Sequence, residues 1–93
     1  MKFEIIKADS NLVWIKYDEA ELCYSYGRLI AIRDKWAIYL DERWHNFSRT
    51  TIKHRNEFVN LTSKEIDKLI KVWDKTSTGD LVVCDCEEIL KEY

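Results

Sequence analysis

Between residues 12 and 40 the chain alternates apolar and polar side chains in short runs, and only turn-length segments separate them. Successive side chains on a strand point to opposite faces, so such runs make half-buried strands. Links this short cannot hold a crossover helix, so neighbouring strands must pair antiparallel. Leu12–Tyr17 is rich in β-branched and aromatic residues. Glu21–Tyr26 alternates, with Leu22, Tyr24 and Tyr26 on one face and Cys23 and Ser25 on the other. Gly27 separates it from Arg28–Arg33. A glycine in a strand pattern marks a bulge or a close backbone approach, so these two runs are expected to form one bent strand. Trp36–Leu40 follows a short Asp34-Lys35 turn, and Lys2–Lys7 gives a first strand before the Ala8–Asn11 turn cluster.

The pattern changes after Asp41. The stretch from Trp44 to Phe58 holds both histidines, three bases (Arg49, Lys53 and Arg55) and one acid, Glu57. Ser48, Thr50 or Thr51 would N-cap a short helix running to about Val59. Thr62 and Glu65 form a capping box for a second helix, on which Ile66, Leu69, Ile70 and Trp73 recur at helical spacing. Leu81–Cys84 is a short run of strand type, and Glu87–Tyr93 predicts a last, fraying helical turn. The expected fold is therefore a single α+β domain over residues 1–93. An antiparallel sheet of four to five short strands carries the amphipathic helix 63–73 on one face, with a shorter helix near 50–59 and a further edge strand at residues 81–84.

Charge is uneven along the chain. Residues 43–56 hold Arg43, Arg49, Lys53 and Arg55 and no acid, whereas residues 80–93 hold five acids and one lysine, within a total of −2. A solvated mixed surface and a basic contact patch both fit this distribution, and the acidic tail would shield the patch or offer a second contact. The overall balance argues against a dedicated nucleic-acid domain, which is usually clearly basic.

Cys23, Cys84 and Cys86 are an odd count without paired zinc-ligand spacing, so free, reduced thiols and no metal site are expected. Two isolated glycines exclude a glycine-rich phosphate loop. No nucleophile elbow is present, so no catalytic residues are assigned and the protein is read as a non-enzyme without cofactor. No apolar run approaches a membrane span, and no secretory pattern opens the chain, so a cytoplasmic protein is expected. Trp44 lies off the strand pattern, beside His45 and Phe47, and is the tryptophan best placed to anchor a partner. With Arg49, Lys53, His54 and Arg55 it makes the expected binding surface.

Tyr24-Ser25-Tyr26-Gly27, Ile30-Ala31, Tyr39-Leu40 and Trp44-x-x-Phe47-Ser48-Arg49-Thr50-Thr51-x-Lys53-His54-x-x-x-Phe58 resemble a family of small uncharacterised proteins of phages, plasmids and mobile elements. The resemblance covers about residues 22–60. Its most specific part is aromatic-Ser-x-Thr-Thr-x-Lys-His-x-x-x-Phe, where many relatives carry tyrosine in place of Phe47. It implies a setting rather than an activity: an accessory factor that inhibits or modulates a host defence complex, as anti-CRISPR proteins do, in the host cytoplasm. The expected partner is a protein or a ribonucleoprotein, bound by a monomer or homodimer. The alternative is a nucleic-acid-binding accessory protein using the 43–56 cluster.

Overall fold

The computed structural model describes residues 3–9, 11–35, 37–76 and 81–91, and of residues 70–76 the backbone path alone. The strands are β1 (Phe3–Ala8), β2 (Leu12–Tyr17), β3 (Ala20–Ser25), β4 (Arg28–Arg33), β5 (Ile38–Asp41) and β6 (Leu81–Cys84). The helices are α1 (Arg49–Val59), α2 (Ser63–Thr76) and α3 (Cys86–Leu90). The fold is α+β, with six strands where four to five were expected. They lie in sequence order in one sheet. The first five make an antiparallel meander. β6 returns after α1 and α2 and pairs parallel to β5, so the edge strand expected at residues 81–84 is present.

Gly27 does not bend one long strand. Tyr26 and Gly27 have φ values of 53° and 78° and form the two-residue turn between β3 and β4. Positive φ at both centres matches the twist of a tight hairpin, and glycine takes the second position without strain. The bulge lies instead at Ile30. Cys23 faces Ala31 and Tyr24 faces Leu29, which leaves Ile30 as the extra residue. This bulge turns Ile30 and Ala31 to one face of the sheet and Leu29 and Ile32 to the other, and all four are buried.

Each face of the sheet carries its own core. On the first, Leu12, Cys23, Ile30, Ala31 and Leu40 meet Phe58 and Val59 of α1 and Ile66 of α2. The Phe58 ring packs edge-on against Trp14, with ring centroids 5.5 Å apart. On the second, Ala20, Leu22, Leu29 and Ile32 meet Cys86, with Ile89 and Leu90 of α3 packed beside them. The expectation of one covered face under the 63–73 helix is therefore corrected. α1 lies over β3 and β4, α2 lies beside β6, and α3 closes the opposite face. Of the apolar positions expected on α2, Ile66 is fully buried and Leu69 is 38% exposed. The side chains of Ile70 and Trp73 lie outside the described residues, as does Trp36.

The buried positions of α1 are Thr51, Arg55, Phe58 and Val59. Their spacing is helical, but two of the four are polar. The α1–α2 corner is set by Asn60, in the left-handed region at φ 60°, whose N–H donates to the Asn56 carbonyl. The capping box of α2 forms as expected: Glu65 N–H donates to Thr62 Oγ1, and Glu65 Oε1 accepts from Thr62 N–H at 3.0 Å. Arg33 on β4 reaches the open end of α1, donating to the Phe58 carbonyl at 2.6 Å while pairing with Glu21. A cation there complements the helix dipole.

Candidate functional site

Ser48 caps α1 with its hydroxyl oxygen, which accepts from the Thr51 N–H at 3.1 Å. The same hydroxyl donates to Thr51 Oγ1 at 3.0 Å. Thr51 Oγ1 lies 3.3 Å from Ser25 Oγ on β3, and Ser25 Oγ lies 2.8 Å from His54 Nδ1. Each hydroxyl has one proton to give, so one order satisfies every member: Ser48 to Thr51, Thr51 to Ser25, and Ser25 to His54. That order requires a neutral imidazole with its proton on Nε2. Burial lowers the His54 pKa below its usual value of 6.5, and Lys53 and Lys7 lower it further against Glu57 and Asp9. The neutral form demanded by the hydrogen bonds is thus the form that the surroundings favour.

A cavity of about 390 Å³ opens beside this chain of hydroxyls, lined by Ser25, Tyr26, Arg28, Ile30, Trp44, Phe47, Ser48, Thr50 and Thr51. Arg28 forms one wall. Its guanidinium lies 4.5 Å from the Trp44 ring centre and 5.3 Å from that of Phe47. Trp44 and Phe47 meet edge to face at 5.3 Å. Tyr26, at the hairpin turn, leans toward His54 with ring centres 6.1 Å apart. Phe47 is 59% exposed and Tyr26 is 47% exposed, so two aromatic rings stand in solvent.

A second, buried polar group is centred on Arg55 of α1. Arg55 is only 3% exposed. Its guanidinium donates to His45 Nδ1 at 2.9 Å, to Ser63 Oγ at 3.2 Å and to Asn56 Oδ1 at 3.0 Å. A guanidinium cannot accept, so His45 Nδ1 is the acceptor and this imidazole too is neutral. Burial lowers the His45 pKa and the Arg55 cation adds to the effect. Asp41, fully buried, ties the junction together. It accepts from the N–H groups of Arg43 at 2.9 Å and Trp44 at 3.1 Å, and from that of Cys86 at 3.2 Å.

The expected binding residues are therefore split. Arg49 and Lys53 are exposed on α1, and His54 is half-buried against Ser25. Trp44 is half-buried, packed on the core and covered by Arg28, so Phe47 beside it is the exposed ring. Arg55 presents no charge to solvent, and its assignment to the contact surface is corrected. Arg43 is engaged by Asp85 at 3.3 Å and Glu87 at 3.8 Å. Of the described tail acids, Asp85 and Glu87 thus pair with one end of the basic run, and Glu88 pairs with Lys91. Tyr24 and Tyr39 pack against the second core, beside Ile89 and Leu90 of α3. Sequence reasoning missed Ser25, Arg28 and Asp41. A signal for the first two was present in their position on either side of Tyr26-Gly27, where a tight hairpin sets them opposite one another.

The thiols sit where ionisation is disfavoured. Burial pushes Cys23 up to about 12, and raises Cys84 and Cys86 as well. The indole N–H of Trp14 is buried without an oxygen or nitrogen partner, and the Cys23 sulfur is the polar group beside it. No group of three or more candidate metal ligands occurs among the described residues. Among them, no helix is long and apolar enough to cross a membrane.

These features define a small α+β protein with an aromatic-walled, cationic cavity where its sheet meets its first helix. The chain belongs to a family of unknown function, DUF8033, whose model matches residues 1–75. That span includes the cavity and both histidine networks, and stops short of β6 and α3. No curated protein and no solved structure matches the chain.

Proposed function

We propose that this protein is a non-catalytic binding protein that engages a protein partner, alone or within a ribonucleoprotein, at the junction between the sheet and α1. The observation that carries this reading is the pair of exposed rings, Tyr26 and Phe47, set around Arg28 with Arg49 and Lys53 exposed on the adjoining helix. Exposed aromatics beside arginine are the residue types that dominate interface energetics. The resemblance to small proteins of phages and mobile elements makes a host defence complex the expected partner, with inhibition of the anti-CRISPR kind as the outcome.

Two features weigh against catalysis. Among the described residues no carboxylate hydrogen-bonds to His54, and the nearby Glu57 is held by Lys7 at 2.9 Å. The thiols are held protonated by burial. The test is capture of the partner from host lysate by the wild type, by R49E/K53E and by F47A. The variants should lose the partner and keep the wild-type circular dichroism spectrum. Retention of the partner by both would sink the assignment. Charge reversal at Arg55 is excluded from this test because it would unfold the chain. Direct nucleic-acid binding through the same bases is the second reading, favoured by the two exposed rings beside cations. It predicts binding to DNA or RNA alone that weakens steeply with salt.

A further inference from the structure

We infer that the cavity between the β3–β4 turn and the start of α1 is a binding site for a nucleoside monophosphate, free or at the phosphorylated end of a nucleic-acid strand. The inference goes beyond the partner contact, since it concerns a small ligand that needs no protein surface.

Four observations carry it. The cavity, about 390 Å³, falls in the lower part of the range of small-ligand pockets, roughly 300–1,000 Å³, and suits one ring system with one anionic group. Its nine lining residues include a guanidinium and no carboxylate, so its charge complement is an anion; of its four aliphatic hydroxyls, those of Ser25, Ser48 and Thr51 donate to one another and to His54. Arg28 makes no ion pair among the described residues. Its guanidinium carbon lies 4.5 Å from the Trp44 ring centre and 5.3 Å from that of Phe47, contacts that use none of its N–H donors and leave them for an acceptor. Together with the Thr50 hydroxyl, those N–H groups offer more donors than the two oxygens of a carboxylate use, and they match the forked recognition of phosphate. Lastly, the exposed rings of Tyr26 and Phe47 at the cavity are surfaces on which a base stacks irrespective of its sequence.

The experiment is calorimetric titration of the full chain at low salt with adenosine 5′-monophosphate, adenosine, inorganic phosphate, phenyl phosphate and a 5′-phosphorylated oligonucleotide. Adenosine 5′-monophosphate should bind, with adenosine and inorganic phosphate each about tenfold weaker or worse, because each keeps half of the recognised groups. R28Q should weaken binding about tenfold or more, and F47A should weaken it less. Both residues are exposed, so the circular dichroism spectrum should not change. R49E/K53E, which tests the partner contact, should bind the nucleotide within a few-fold of wild type, so the two proposals fail separately. Oligonucleotide binding at least as tight as that of the mononucleotide supports the strand end as source, and mononucleotide binding alone supports the free nucleotide. Absence of binding heat with the mononucleotide, unchanged affinity in R28Q, or tighter binding of phenyl phosphate would each overturn the inference. The last outcome would point to a phosphorylated aromatic side chain instead.

Discussion

The two faces of the sheet are built on opposite principles. The face under α3 is closed by apolar contact, with Leu22, Leu29, Ile32 and Cys86 buried and tyrosines at the rim. The face under α1 buries aliphatic residues too, but Ser25, Thr51, His45 and Arg55 are buried with them. Buried polar groups are costly unless hydrogen-bonded, and here the hydrogen bonds form two separate networks. An apolar face can slide and repack, because apolar contact has little directionality. A face held by directional bonds keeps one register. The cavity opens on the second kind of face, where side-chain positions are fixed most firmly.

Asp41 belongs to both faces, since its carboxylate reaches Trp44 on one side and Cys86 on the other. Replacing Asp41 by alanine should give the largest effect. It leaves the buried Cys86 N–H and the part-buried N–H groups of Arg43 and Trp44 without their acceptor, the buried one at about 1–3 kcal/mol, so a loss of about 3–5 kcal/mol is expected in urea denaturation. A loss below about 1 kcal/mol would show that the two faces are stable without this tie. Ile32→Ala, on the apolar face, should cost about 2–5 kcal/mol by cavity creation. It should leave the His54 titration unmoved, and a shifted His54 would break the separation of the faces.

Ser25→Ala should cost about 1–2 kcal/mol by removing the central hydroxyl. The more telling readout is the NMR titration of His54. Loss of a bond that favours the neutral ring should move its pKa up, toward the usual value. No movement would mean that the hydroxyls do not govern the imidazole.

Both histidines also set a pH dependence. Their pKa values are lowered in the folded state, so the unfolded chain binds more protons near and below the usual value of 6.5. Stability is therefore fully present above about pH 7 and is lost as pH falls through 6.5 and below. Thermal denaturation from pH 7.5 to 5.5 checks the sign, and His54→Gln should reduce the slope. The smallest effect is expected from Arg49→Glu, within about 0.5 kcal/mol of wild type, since that side chain is exposed.

Much of the sheet was legible because alternation survives where one face of a strand is buried. Turn-length links then forced the antiparallel meander. Gly27 was misread because a glycine between two strand patterns fits a bulge or a turn equally well, and only the positive φ of Tyr26 decides between them. The role of α1 was obscured by Thr51 and Arg55. Their spacing is that of a buried face, but hydrophobicity cannot reveal a core position occupied by an arginine. The same cause hid half of the site. Arg55 looked like surface charge, and Ser25 looked like the polar side of a strand, because their partners lie on other elements. The cap at Ser48 was legible because it depends on a few adjacent residues, as was the capping box at Thr62.

The parallel pairing of β6 with β5 has a consequence for how the molecule assembles. Strands β1 to β5 pair through neighbouring hairpins, whereas β6 reaches β5 only across the intervening α1 and α2, so its pairing is the least local in the sheet and is expected to form late. The terminal segment is then the last to dock. Substitutions in Leu81–Cys84 or Cys86–Leu90 should accelerate unfolding and leave the refolding rate nearly unchanged, the signature of contacts absent from the transition state.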